Sequence, residues 1–373
     1  MKKSLGIYVH VPFCIRKCRY CDFCSVVGKG GDYLMSYADR VCEKMNEYLP
    51  STGEYRVDTV YFGGGTPSLM PVEGLEKIMR AVSGFDLLES AEITLECNPA
   101  TADREYFERI RAMGINRLSI GLQSGNDREL VLLGRAHDRD DFLRCLEDAR
   151  AAGFDNISAD LMYGIPDQTE KSFAESLNFL AGLGVEHISA YGLTVEEGTY
   201  FYKHRNELDI ADDDTQAQMY CLMGDILSRW GYDRYEISNF AKEGRESRHN
   251  MRYWKCLDYL GFGPAAHSCF GGRRFGNSRD IEAFMRGEDI VEESYEIDGE
   301  EQRREYIMLG MRLSEGLDTE EYRERFGREL WTEHPAVKKY ISEGFMSSDG
   351  ERVFFTEKGF LVSNIILAEL IEL

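Results

Sequence analysis

The chain has 373 residues, 43% hydrophobic and 29% charged, enough for one large domain of barrel size plus a smaller one. No apolar run reaches the roughly 20 residues that span a bilayer, and a net charge of -22 repels phosphate backbones and anionic lipid headgroups. Nucleic acid is therefore excluded as an expected partner, and contact with membrane proteins is expected to be transient at most.

The first residues, Met1-Lys2-Lys3-Ser4, lead into the apolar, β-branched segment Leu5 to Val11, which reads as a strand. No signal-peptide core precedes it, so the cytoplasm, where thiols stay reduced, is the expected location. Cys14, Cys18 and Cys21 follow at three- and two-residue spacings within one tight loop. Thiolates are the usual ligands of a [4Fe–4S] cube, which normally takes four of them. Three would leave one iron open to a substrate or cofactor. Cys24 complicates this count, because Cys18, Cys21 and Cys24 also form the C-x2-C-x2-C run of bacterial ferredoxins, and four cysteines also suit a structural zinc. Free thiols are the third reading, although close cysteines in a reducing compartment favour metal. The remaining six cysteines are scattered and read mostly as core.

Strand-like and helix-like segments then alternate. Val57 to Phe62 reads as a strand ending in Gly63-Gly64-Gly65, and Ala91 to Glu96 as a third, before a helix from Ala102 to Met113. Arg117 to Leu122 is a fourth, followed by one helix and another from Asp140 to Ala152. Asn156 to Met162 and His187 to Thr194 complete six, with helices at Glu170 to Leu183 and within Asp212 to Trp230. Such alternation implies parallel βαβ units, and six of them imply an α/β fold built on a partial (β/α)6 barrel. Residues 245 to 285 read as an extension covering one end of it. From Glu300 the pattern changes to helices at Gln302 to Leu313, Thr319 to Phe326 and Pro335 to Gly344, a hairpin at Ser348-Asp349-Gly350, and a last helix from Lys358 to Ile371. This predicts a small winged-helix-like α+β domain, whose acidity favours packing or a lid role over DNA binding. The expected units are 1–240, 241–299 and 300–373.

Chemistry in such folds sits at the C-terminal strand ends. The cysteine loop, the glycine run, Glu96, Gln123, Asp160 and Tyr191 all fall there. Glycines let a backbone approach a ligand closely, and no Gly-Lys-Ser/Thr follows to make a phosphate loop. An acid such as Glu96 can accept hydrogen bonds from an amine or from ribose hydroxyls; an acid serving a helix N-terminus is the plainer reading.

Five segments carry a resemblance across nearly the whole chain. They are Tyr8-Val9-His10-Val11-Pro12-Phe13-Cys14, the cysteine loop, Gly63-Gly64-Gly65-Thr66-Pro67, Ser119-Ile120-Gly121-Leu122-Gln123-Ser124 and Asp160-Leu161-Met162-Tyr163-Gly164-Ile165-Pro166. The chain resembles the radical S-adenosylmethionine (SAM) proteins related to oxygen-independent coproporphyrinogen III dehydrogenase. The resemblance implies a [4Fe–4S] cluster on Cys14, Cys18 and Cys21, with SAM on its open iron. It implies SAM-binding roles for Tyr8, Gly64, Gly65, Thr66 and Glu96, and a second SAM-like pocket at Tyr20, Gln123, Arg135 and Asp160.

Two departures from the dehydrogenase matter. Its fourth cysteine, two residues after the third, is replaced here by Phe23. The segment Arg248-His249-Asn250-Met251-Arg252-Tyr253-Trp254, which the dehydrogenase lacks, is similar to the His-Asn-x-x-Tyr-Trp motif of a heme chaperone branch. Members of that branch are thought to deliver heme to respiratory proteins. The resemblance thus implies heme as a ligand and heme-accepting respiratory proteins as partners, with no electron donor identified. An imidazole can ligate heme iron, Tyr253 and Trp254 offer flat apolar surface, and Arg245, Arg248 and Arg252 can pair with propionates. A structural hydrogen-bonding role for His249 is the plainer alternative, and His267 is a second candidate ligand. Two other functions stay open: an enzyme, either the dehydrogenase or another radical SAM enzyme acting on a tetrapyrrole, and an electron carrier with a closed cluster using Cys24. Whether SAM is cleaved or only bound is also open.

Overall fold

The computed structural model describes residues 2–371. Six parallel strands form its centre: β1 (Lys3–Val11), β2 (Tyr55–Gly64), β3 (Leu87–Cys97), β4 (Arg117–Gln123), β5 (Ile157–Tyr163) and β6 (His187–Gly192). They pair in sequence order, each parallel to the next. Helices cover the outside: α1 (Gly31–Tyr48), α2 (Val72–Val82), α3 (Arg104–Ala112), α4 (Asp127–Leu133), α5 (Arg139–Ala151), α6 (Glu170–Gly182) and α7 (Asp213–Arg229). Covered faces explain why the strands read as nearly continuous apolar runs; in β4, Arg117 through Leu122 are all buried. Local caps fix the helix starts. Asp138 and Thr169 each accept from the third backbone amide of α5 and α6 and form reciprocal capping boxes.

The sheet is open. Beyond β6 lie the short antiparallel strands β7 (Asp233–Arg234) and β8 (Asn239–Ala241). Beyond β1 it continues through β9 (Tyr259–Phe262), parallel to β1, and then the antiparallel strands β10 (His267–Phe270), β11 (Arg273–Asn277) and β12 (Val291–Glu296). The segment expected to cover an end of the barrel therefore widens the sheet beside β1, preceded by α8 (Arg248–Trp254). Its outer strand β12 is exposed throughout and carries three glutamates, which discourage edge-to-edge pairing.

The C-terminal part contains α9 (Gly299–Gly310), α10 (Thr319–Phe326) and α11 (Ala336–Ser342). A small sheet joins β13 (Leu317–Asp318), β14 (Met346–Ser348) and β15 (Arg352–Phe355), with the hairpin where the sequence placed it. The expected last helix is two helices, Glu357–Leu361 and Ser363–Leu370, broken at Val362, whose ψ of 17° leaves the helical region. The break lets Phe360 and the Ile366–Leu367 pair enter one core. No helix among the described residues is long and apolar enough to cross a membrane.

Candidate functional site

Strands β2 to β6 and the cysteine loop that follows β1 surround a cavity of about 460 Å³. Cys14, Cys18 and Cys21 line it with Tyr20, Gly64, Gly65 and Thr66. Glu96, Gln123, Arg135 and Asp160 complete the expected set on the same cavity. Tyr8 and Tyr253 instead line a neighbouring cavity, and His249 and Trp254 line neither.

The cysteine loop is closed by a short parallel pairing of Phe13–Cys14 with Val26–Val27 and by a turn from Cys21 N to Cys18 O at 3.3 Å. Two donors point at the sulfurs: Thr66 Oγ1 to Cys14 at 3.6 Å, and Arg135 Nη1 to Cys18 at 3.5 Å. Burial pushes the Cys21 thiol up, partly offset by the Phe23 backbone and by Lys17. Among the described residues no three Cys, His, Asp or Glu side chains converge on one point as a single metal ion requires. A cube takes each thiolate on a different iron and needs no such convergence. Cys24 turns away: it is buried, its Sγ donates to the Arg279 carbonyl at 3.5 Å, and it lines the neighbouring cavity. The residues present thus fit a three-thiolate cluster.

The glycine run is built for close approach. Gly64 has φ +111°, and a Cβ there would lie 2.5 Å from the His10 ring. At Gly65 a Cβ would meet the Phe13 and Val11 backbone at 2.8–2.9 Å. Gly64 N–H donates to Glu96 Oε2 at 3.1 Å, and the Tyr61 hydroxyl donates to Oε1 at 2.9 Å. Burial pushes the Glu96 carboxyl up to about 7 despite these donors. Asp160 is also raised by burial, and Ser119 donates to it at 3.3 Å. Gln123 holds a left-handed φ of 73° where the β4–β5 register shifts, a strained conformation for a residue with a side chain. Arg135 donates through Nη2 to the Gly121 carbonyl at 2.8 Å, while its buried Nε has no partner among the described residues. Buried carboxylates and an unpaired guanidinium nitrogen suit a polar ligand that carries both an amine and a carboxylate, such as SAM.

The His-Asn-x-x-Tyr-Trp segment forms α8, and its surroundings differ from those expected of a heme ligand. His249 is fully buried. Its Nδ1 lies 2.9 Å from Thr59 Oγ1 and its Nε2 2.8 Å from the Tyr253 hydroxyl. The Arg248 and His249 amides donate to Glu92. Burial and the Arg252 charge lower the His249 pKa to about 3, so the ring is neutral. It stacks on Tyr61, centroids 5.2 Å apart, and thus lies beneath the hydroxyl that holds Glu96. Arg252 is not free for propionates: it is buried in an ion pair with Asp58 and bonds Ser4 and the Asp258 carbonyl. Arg248 donates to the Ser90 carbonyl, and Arg245 lies 3.9 Å from Asp155.

Sequence reasoning missed Tyr61 and Arg117. Tyr61 stands two residues before Gly63, so its side chain shares a face with the glycine run, a signal the strand period carried. Arg117, a charge opening an apolar strand, is buried and lowers both the Glu96 and Asp160 carboxyls.

A family model described as the radical SAM superfamily matches residues 8–180, and one described as the HemN C-terminal domain matches 297–362. Over 369 residues the chain is 34% identical to heme chaperone HemW of Bacillus subtilis, with 96% of each chain covered. It is 31% identical over 379 residues to heme chaperone HemW of Haemophilus influenzae, covering 99% of this chain and 97% of the other. In structure it is similar to coproporphyrinogen III oxidase (HemN) from Escherichia coli, a radical SAM enzyme, with a TM-score of 0.86 and 22% identity over 99% of this chain and 90% of that one. At that identity the likeness shows the fold.

Proposed function

The chain belongs to the HemW family of radical SAM heme chaperones, and from that membership and the cavity geometry we propose that it binds a [4Fe–4S] cluster, SAM and heme, and passes heme to acceptor proteins. The observation that carries the reading is the meeting of Cys14, Cys18, Cys21, the glycine run and Glu96 on one cavity. When bound, the cluster supplies an open iron and an electron for SAM. Cys14, Cys18 and Cys21 hold it, and Thr66 and Arg135 stabilise the thiolates. Gly64 and Gly65 admit SAM close to the backbone, and Glu96 accepts from its amine or ribose hydroxyls. Tyr8 stacks on Tyr61, whose hydroxyl donates to Glu96, while Tyr20, Gln123, Arg135 and Asp160 line the same cavity.

Phe23 in place of the dehydrogenase's fourth cysteine supports carriage over decarboxylation. The acceptors are respiratory proteins met at the membrane surface, and the working compartment is the cytoplasm. Anaerobic heme titration of the cluster-loaded protein tests the reading. A saturable Soret shift, with no vinyl product from coproporphyrinogen III under reducing conditions, is expected. Unsaturable adsorption, or vinyl products, would refute it.

A further inference from the structure

The neighbouring cavity, about 880 Å³, lies within the range of ligand sites, roughly 300–1,000 Å³. It shares Asp22, Phe23, Gly64 and Glu96 with the first and is bounded on its far side by β9, β10, β11 and β12. Two histidines line it. His10 is buried with both ring nitrogens engaged, Nδ1 3.2 Å from the Tyr8 hydroxyl and Nε2 2.9 Å from the Cys24 carbonyl. His267 is exposed and makes no side-chain hydrogen bond or ion pair among the described residues. Its ring lies over Gly276, where a Cβ would come within 2.7 Å of Nδ1, so the glycine makes room for the imidazole.

We propose that this cavity is the tetrapyrrole site and that His267, rather than His249, supplies the axial ligand. The assignment rests on the heme-chaperone reading and specifies where the cargo sits. A free imidazole beside an apolar wall is what a heme iron needs from a protein. Tyr253, Tyr259 and Phe23 supply that wall, Phe23 being 67% exposed. The motif then acts from beneath, because His249 holds the Tyr253 hydroxyl and so fixes the ring that faces the cavity. The anionic propionates need a cation, and Arg279 provides it. It is exposed, and its guanidinium bonds both the Asp22 carboxylate, at 3.3 Å, and the Asp22 main-chain carbonyl, beside the cavity it lines. Glu292 and Glu293 also line the cavity with the wrong sign for propionates, which places those groups toward Arg279.

Cluster-loaded wild-type protein and the His267→Ala, Arg279→Ala and His249→Ala variants are titrated with ferric heme anaerobically and followed at the Soret band. His267→Ala should lose the ligand-shifted Soret maximum and bind at least tenfold more weakly, and added imidazole should restore the maximum. Arg279→Ala should weaken binding with the maximum unmoved. His249→Ala, read below its melting transition, should bind more weakly, because the Tyr253 wall is no longer held, but with the wild-type maximum. A wild-type Soret shift that survives in His267→Ala and disappears in His249→Ala overturns this assignment alone. Failure of wild type to saturate overturns the chaperone reading and the assignment with it.

Discussion

Replacing His249 by alanine separates a structural imidazole from a ligand. The ring is buried and bridges Thr59 and Tyr253 at 2.9 and 2.8 Å. Its removal leaves two buried hydroxyls without partners, at about 1–3 kcal/mol each. It also removes stacking on Tyr61, worth about 0.5–1.5 kcal/mol. A loss of about 2.5–7.5 kcal/mol is expected. A chain of 373 residues has an unfolding entropy of roughly 0.8 kcal/mol/K near its transition, so the melting temperature should fall by about 3–9 °C. Calorimetry of the cluster-loaded protein at pH 7.5 reads this directly. The pH dependence adds a second signature. The His249 pKa is lowered to about 3, so the neutral ring stabilises the fold fully above its ordinary value near 6.5 and loses that contribution as pH falls from 6.5 toward 3. The gap between wild type and variant should therefore narrow on acidification. A melting temperature within 1 °C of wild type at pH 7.5 would show that the histidine is not part of the core and would refute the reasoning.

Two further outcomes follow from the first cavity. Because burial holds the Glu96 carboxyl near 7, a ligand that presents positive charge to it must ionise it. SAM affinity should rise about tenfold from pH 6 to pH 8 and then level off, while Glu96→Gln should bind weakly with a flat profile; a sloping profile in the variant would contradict this. Gly64→Ala combines a φ of +111° with a Cβ 2.5 Å from His10, whereas Gly28→Ala meets nothing within 4 Å at φ +77°. Urea unfolding should therefore show a loss of at least about 2 kcal/mol at Gly64 and about 1 kcal/mol at Gly28, and equal losses would sink the close-approach argument.

Much of this was legible in the sequence because the signals are local. The six inner strands announce themselves as short apolar runs between helical patterns, and β4 and α10 begin at the residues expected from the pattern. The cysteine and glycine spacings point to residues that share the first cavity, because the strand order brings them to one end of the sheet. The environment of α8 was not legible. Seven residues carry too little periodicity to say which face is buried, and Thr59 and Asp58, which engage His249 and Arg252, lie some 190 positions away in the chain. The pairing of β9 with β1 was hidden for the same reason, being decided by a parallel register between segments at opposite ends of the sheet-forming sequence.

The two histidines nearest the motif can be ranked by what each would give up to meet an iron. His249 would have to release at least one of its two buried hydrogen bonds and leave a hydroxyl on Thr59 or Tyr253 unsatisfied, at about 1–3 kcal/mol, before any bond formed. It would also have to leave its stack on Tyr61, whose hydroxyl holds Glu96, so the movement would disturb the first cavity. His267 breaks no side-chain hydrogen bond among the described residues and already faces the second cavity. A difference of about 1–3 kcal/mol corresponds to roughly one to two decades in affinity, enough to decide which imidazole an incoming iron meets. The Tyr253 ring belongs to both accounts, as the partner that holds His249 in place and as a wall of the second cavity. The motif therefore shapes the cargo site through its tyrosine and anchors the cofactor site through its histidine.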